Sequence, residues 1–230
     1  MIECLSSPIA QSVAVVSLGQ VGERNGEAVS ALISLLQSPV DENLRREVVK
    51  SLGKIGFDNL NAIRGFAIRG LEKLLDESED EETCFLAACA LSQISTNKSK
   101  AIEALEKLIY SSQFLFIQSE AAIALWQQLP GDINILKTLI GLLLDNPGNP
   151  NSLKFHLSPK YGFLQETITN FLKTLVLSEQ LPIIINTIQS YKYKQNAGSI
   201  GLYEGFGYKV IWHYAQNLPY DKFYQACRGE

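Results

Sequence analysis

Ser51-Leu52-Gly53-Lys54-Ile55-Gly56 is the stretch that decides the fold, because it returns. SLGQVG stands at 17–22, ALSQIS at 90–95 and ALWQQL at 124–129. Their central leucines, Leu18, Leu52, Leu91 and Leu125, are spaced 34, 39 and 34 residues apart. A period of this size marks a supersecondary unit stacked several times over.

Each copy is followed by a second apolar segment: ALISLLQ from Ala31, GLEKLLD from Gly70, ALEKLIY from Ala104 and TLIGLLL from Thr138. The columns hold at Leu32, Leu71, Leu105 and Leu139, at Leu35, Leu74, Leu108 and Leu142, and at Leu36, Leu75, Ile109 and Leu143. Val29, Ile68, Ile102 and Leu136 complete the stripe. Such spacing is one face of an α-helix. Ala14, Val48, Ala87 and Ala121 form a small-residue column in the first segment, which lets neighbouring helices come close. Neither helix of a pair can bury its stripe alone, so the core has to run along a stack. The step from a second-segment Leu to the next first-segment Leu is always 20, whereas the step within a unit is 14 except in the second, where it is 19. The sequence therefore places five extra residues in an intra-pair loop around Gly56–Phe66.

Composition agrees with a folded soluble chain: 46% hydrophobic and 19% charged residues, with a net charge of -4. That charge does not favour indiscriminate binding to nucleic acid or acidic lipid. It is unevenly spread: residues 1–150 hold 12 Lys/Arg against 19 Asp/Glu, while 151–230 hold 8 against 5, which suggests a boundary near 146–160. Cys4, Cys84, Cys89 and Cys227 form no CxxC and read as reduced thiols filling core space. Met1–Ala10 lacks the basic start and apolar run of a signal peptide, and no uncharged apolar run is long enough to span a bilayer, so cytoplasm is the expected compartment.

The pattern resembles the HEAT family, in particular the bacterial PBS-lyase HEAT-like repeats, with its best match at Asp41-Glu-Asn-Leu-Arg45-Arg46-Glu-Val-Val-Lys-Ser-Leu-Gly-Lys-Ile-Gly56. The resemblance implies an all-α fold: a right-handed α-solenoid of helix pairs at about 12–38, 43–76, 81–111 and 115–145, filling residues 1–146. It also puts the family's Asp and Arg at Asp41 and Arg45, charges that bond along a ladder between units in HEAT arrays. Gln11, Cys84 and Gln118 hold the Arg position elsewhere, so no continuous ladder is expected.

Residues 147–230 read as a degenerate helical cap and tail. Asp145–Ser152 is dense in turn formers, Phe163–Leu177 and Pro182–Ile188 read as helices, Gln195–Gly207 as a loop, and Tyr208–Gln216 and Asp221–Cys227 as helices parted by Pro219. This tail resembles the segment after the repeats in bacterial NACHT-type signal-transducing NTPases, which carry a WHxAQN, Pro-Tyr, FYQAW run. Trp212, His213, Ala215, Gln216, Asn217, Pro219, Tyr220 and Phe223–Ala226 match it, and Cys227 stands in place of the final Trp. No GxxxxGK[ST] occurs; Gly53-Lys54 lacks the leading glycine, so ATP binding does not carry over.

Other constellations read blandly. His156 and His213 are the only histidines and have no ligand-spaced partners. Ser199, in Ala197-Gly-Ser-Ile-Gly201, lacks the strand that a nucleophile elbow needs. Asp76–Glu82, with six acids in seven residues, reads as a solvated turn before a helix N-terminus. Tyr191-Lys-Tyr-Lys194 offers too few bases for a phosphate track. The sequence thus assigns no catalytic, cofactor-binding or metal-binding residue.

The outward columns of the second helices are Ser30, Arg69, Glu103, Lys137 and Ser34, Lys73, Lys107, Gly141. Within them Arg69, Lys73, Lys107 and Lys137 could form a basic ridge for an acidic or phosphorylated protein partner. The function expected is a non-catalytic scaffold or regulatory interaction module, and the resemblance of the tail implies the sensor or regulatory end of a NACHT-type signalling protein lacking its NTPase domain. The alternative, from the generic repeat, is a phycobilin lyase-like chromophore-handling protein. Because the repeat begins almost at once, the first pair has no evident cap, and upstream structure or a second copy is expected against it.

Overall fold

The computed structural model describes residues 8–21, 25–38, 40–58, 61–144, 159–174, 180–194 and 204–228, and among these there are twelve α-helices and no strand. The chain divides into two compact units, Met1–Ala124 and Leu125–Glu230.

The first unit contains α1 (Pro8–Val21), α2 (Gly26–Leu36), α3 (Glu42–Asp58), α4 (Asn61–Glu77), α5 (Glu81–Ile94) and α6 (Ser99–Ser111). Helix α7 (Leu115–Gln128) begins in it and ends in the second unit. The starts of α2, α3 and α5 are chemically marked. Asn25 accepts from the amides of Glu27 and Ala28, Asp41 from Asn43 and Leu44, and Asp80 from Thr83, all between 2.8 and 3.2 Å. These caps satisfy amides that the helix itself cannot, each contributing about 1 kcal/mol.

Alternate helices form layers. α3 lies between α1 and α5; α2 packs on α4; and α3 contacts both α2 and α4, as α5 contacts α4 and α6. The leucine columns fill the space between the layers. Leu32, Leu71 and Leu105 are each 0% exposed, as are Val48 and Ala87 from the small-residue column. A fully buried leucine contributes about 1.5–3 kcal/mol, so this stripe dominates the stability of each pair.

The glycine of SLGxxG has a specific task. A Cβ built on Gly19 would lie 2.7 Å from Ser51 Oγ, and one on Gly53 would lie 2.9 Å from the Ala90 Cβ. The third motif position of one unit thus receives the first motif position of the next: Gly19 receives Ser51, and Gly53 receives Ala90. Ser51 also donates to the Val15 carbonyl at 3.1 Å across the same contact. The small-residue column expected to allow close approach is buried, and at these glycines the neighbouring helix leaves no room for an added Cβ.

The five additional residues of the second helix pair do not make a long loop. α3 and α4 are 17 residues each, against 11 to 14 for α1, α2, α5 and α6, so the insertion is absorbed as helix. Arg64 Nε donates to the Gly56 carbonyl at 3.0 Å and ties the start of α4 to the end of α3.

The second unit holds α8 (Ile133–Leu144), α9 (Pro159–Thr174), α10 (Leu181–Lys194), α11 (Glu204–Asn217) and α12 (Tyr220–Arg228). Gly131, at φ 97°, makes the turn into α8, and Asp132 caps that helix through the amides of Asn134 and Ile135. α8 packs on α9, α10 and α11; α11 also packs on α9, and α12 on α10 and α11. Leu136, Leu139, Ile140 and Leu143 of α8 meet a core that includes Ile168, Leu172, Ile184, Ile185 and Val210, all 0% exposed. Gly141, placed by the repeat on an outward column, is buried among them. The loop expected over Gln195–Gly207 ends earlier than the pattern suggested, since α11 starts at Glu204; its remainder, with Ser199, lies outside the described residues, as do Cys4 and His156.

Candidate interaction surfaces

The acidic run Asp76–Glu82 turns out to be an anchor between helix pairs. Arg46 of α3 donates to both carboxylate oxygens of Asp80, at 3.0 to 3.3 Å, and its other terminal nitrogen lies 2.8 Å from Glu82. Asp80 simultaneously caps α5 through Thr83. Burial alone would raise the Asp80 pKa, but the Thr83 hydrogen bonds and the Arg46 guanidinium outweigh it and hold the carboxyl below its ordinary value. Glu42 accepts from Thr83 Oγ1 at 3.1 Å, and Glu81 accepts from Ser112 Oγ, carrying the polar line to the approach to α7.

Asp41 and Arg45, the residues given the ladder role by resemblance, act locally instead. Asp41 caps its own helix, while Arg45 bonds the Leu36 carbonyl at 3.2 Å and pairs with Glu42 on the same helix. The ion pair between successive helix pairs belongs to Arg46, one position further on. The Arg45 column nevertheless repeats in role: Cys84 Sγ approaches the Ser78 carbonyl at 3.4 Å, and Gln118 Nε2 donates to the Ser112 carbonyl at 2.8 Å. Each side chain fastens the connection that precedes its helix. Charge was therefore a poor guide to this column, whereas donor capacity is common to all three.

An open groove of about 360 Å³ lies between α3 and α5, walled by Lys50 and Lys54 on one side and by Leu86, Cys89 and Gln93 on the other, with Gly53 and Ala90 also lining it. Burial, with the nearby charge of Glu120, pushes the Cys89 thiol up to about 12, which keeps it an inert packing group. Cys84 and Cys227 are also free and partly buried, with pKa values raised chiefly by burial.

Of the expected basic ridge, Arg69, Lys73 and Lys107 are exposed on the even-numbered helices of the first unit, and Lys137 is exposed on α8 in the second. Arg69 sits 4.7 Å from the Phe66 ring centroid, and Lys73 Nζ lies 3.7 Å from Glu77. Both contacts are at the surface, where such pairs contribute at most about 1 kcal/mol, so a stronger anion could displace them.

Exposed aromatic rings stand in pairs on the C-terminal helices. On α11, Val210 and Tyr214 face inward; Tyr214 is 3% exposed and donates from its hydroxyl to the Leu172 carbonyl at 2.5 Å. Burial pushes its pKa up to about 12. The opposite side carries Tyr208 and Trp212, 60% and 51% exposed, stacked at 5.9 Å between centroids. On α12, Tyr220 and Tyr224 stack at 5.7 Å, and Arg228 covers the Tyr224 ring at 4.5 Å. Large aromatic rings presented in this way carry contact area at small entropic cost, which is the composition of binding surfaces. His213, between the two faces of α11, makes an edge contact with Tyr214, and Asn217 Nδ2 donates to its carbonyl at 2.7 Å. Among the described residues no group of three or more His, Cys, Asp or Glu is placed to hold a metal ion, and no helix is long and apolar enough to cross a membrane.

A family model described as NACHT C-terminal Cysteine and Histidine-containing matches residues 200–228, the span of α11 and α12 that includes His213 and Cys227. No curated protein and no solved structure matches the chain. The C-terminal helices, with their exposed aromatic pairs, thus relate the chain to NACHT-associated proteins.

Proposed function

We propose that the chain is a non-catalytic protein-interaction module in NACHT-associated signalling, built as a solenoid of HEAT-like helix pairs and closed by a helical C-terminal cap. The observation that carries this reading is the pair of exposed aromatic stacks, Tyr208–Trp212 and Tyr220–Tyr224, inside the segment that the family model matches. Alternating helix layers, the fully buried column Leu32, Leu71 and Leu105, and glycine-to-small-residue contacts between α1, α3 and α5 support the solenoid part of the proposal. Arg69, Lys73 and Lys107 add a second contact for an acidic or phosphorylated region of the partner.

The partner class proposed is a NACHT-type NTPase of the same cell. Trp212→Ala with Tyr224→Ala should weaken its binding to the purified chain at least about tenfold, because exposed aromatic anchors commonly dominate an interface. Trp212 is 51% and Tyr224 43% exposed, so the melting temperature should fall by no more than about 4 °C from the parent. Equal binding by parent and variant would refute the assignment of this surface.

A further inference from the structure

We infer that the groove between α3 and α5 docks a short extended segment of a protein partner in which acidic and apolar residues alternate. Its two walls differ in chemistry. Lys50 and Lys54 stand on the α3 side, Leu86, Cys89 and Gln93 on the α5 side, and no carboxylate belongs to the lining. A Cβ on Gly53 would meet Ala90 and one on Gly56 would meet Ile94, so the two helices run side by side in the same direction and the groove follows them. The stack itself does not call for the lysines. Aligned on Leu18, Leu52, Leu91 and Leu125, their positions hold Val16 and Gln20 in α1, Cys89 and Gln93 in α5, and Ile123 and Gln127 in α7, all uncharged. Lys54 is exposed and has no ionic partner among the described residues. Lys50 pairs with Glu47 of its own helix at 2.7 Å, a solvent-exposed contact that a ligand carboxylate can replace at little cost.

Charge and spacing together specify the occupant. Lys50 and Lys54 are about one helical turn apart, roughly 6 Å along the axis. In an extended segment, side chains two residues apart stand about 7 Å apart on one side, and the residue between them points to the other. Two carboxylates at that spacing therefore meet the two ammonium groups, while the intervening apolar side chain turns toward Leu86 and Cys89. The Cys89 thiol, kept neutral by burial, serves as part of that apolar wall. Gln93 can both donate to and accept from the segment's backbone. A basic segment would instead face two like charges. Glu120 of α7 also acts on Cys89 but is not among the lining residues. An open volume of about 360 Å³ suits a few side chains rather than a folded surface. This site does not rest on the aromatic pairs of the C-terminal helices, and it lies on the odd-numbered helices whereas Arg69, Lys73 and Lys107 lie on the even-numbered ones.

The test uses the full chain and a displayed library of random peptides. Selection should enrich segments with acidic residues at alternate positions and an apolar residue between them, and the synthetic peptide should bind with a dissociation constant below about 100 µM by fluorescence anisotropy. Lys50→Gln with Lys54→Gln should raise that constant at least about tenfold, with circular dichroism and melting unchanged, since glutamine is the residue α1, α5 and α7 carry at the second position. Lys73→Gln with Lys107→Gln should leave it within about twofold. Serine in place of the peptide's central apolar residue should also weaken binding, and added salt should weaken the parent more than the double variant. Enrichment of peptides without acids, equal binding by the Lys50/Lys54 variant, or an equal loss in the Lys73/Lys107 variant would each overturn the inference. So would retention of single-stranded RNA through Lys50 and Lys54 with no acidic peptide bound.

Discussion

Replacing Gly53 by alanine should destabilise the helical array, although the same exchange at Gly65 should stabilise it. Both glycines lie inside helices, where alanine is favoured by about 1 kcal/mol because it restricts the unfolded chain more. At Gly65 the nearest atom to an added Cβ is the flexible end of Arg69, 3.7 Å away, so the intrinsic gain should appear nearly whole. At Gly53 the added carbon would stand 2.9 Å from the Ala90 Cβ, about 0.6–1 Å inside the optimal carbon–carbon separation. Ala90 has no rotamer that swings it away, so α3 and α5 must move apart. Such overpacking costs about 1–3 kcal/mol; less the helix gain of about 1 kcal/mol, Gly53→Ala should lose up to about 2 kcal/mol. The expected change in melting temperature is a fall of up to about 8 °C, against a rise of about 2–4 °C for Gly65→Ala. Urea titrations of both variants, and of Gly53→Ala in an Ala90→Gly background, isolate the contact as a coupling energy. The double variant should be more stable than Ala90→Gly alone. If Gly53→Ala stabilises as much as Gly65→Ala, or shows no coupling with position 90, the reading of SLGxxG as a docking notch is wrong.

Two further expectations concern charge. Arg46→Met should cost about 1–3 kcal/mol at neutral pH, since it leaves the partly buried Asp80 without its guanidinium. Asp80 has a lowered pKa, so its contribution is present above the ordinary value of 3.8 and is lost as pH falls through the lowered one; the variant should therefore show a weaker loss of stability across that acid window, and an identical acid profile would refute the pairing. Glu120 behaves oppositely. Burial raises its pKa, so the folded chain holds the proton more tightly than the unfolded chain does, and stability falls as pH rises from 4.5 through the raised value. Glu120→Gln should consequently stabilise the chain at pH 7 and change little at pH 3, as measured by thermal melts; a loss at pH 7 would contradict that account.

How much of this was legible in the sequence depends on what each position answers to. The leucine columns answer to a single demand, burial of one helix face, and that demand writes itself into a period. Leu32, Leu71 and Leu105 could therefore be named as core without coordinates, and each is 0% exposed. Spacing alone counts residues and not their conformation, so it suggests a loop for the five-residue insertion where α3 and α4 each lengthen instead. Arg45 and Arg46 are adjacent, about 100° apart around the helix; choosing between them requires knowing which side faces the next pair. A usable signal existed in Asp80, an N-cap three residues before Thr83, because a capping acid at the start of one first helix is a natural acceptor for an arginine near the start of the previous one.

The interaction surfaces were less legible because identity does not encode direction. Tyr208 and Tyr214 are the same residue on one helix, yet one is 60% exposed and stacked on Trp212 while the other is 3% exposed and bonded to Leu172. The pattern of α11 places apolar side chains all round, and only the packing of α8 and α9 against one side divides anchors from presented rings. The same ambiguity governs α1, where valines at core-like spacing stand open. An apolar residue in a stacked array is therefore not by itself a core residue: it is core where a neighbouring helix supplies the other half of the contact, and an unmatched half is what a partner has to complete. On this logic the acidic and basic columns, which water already satisfies, carry less of the binding specificity than the few apolar positions for which the described residues provide no counterpart.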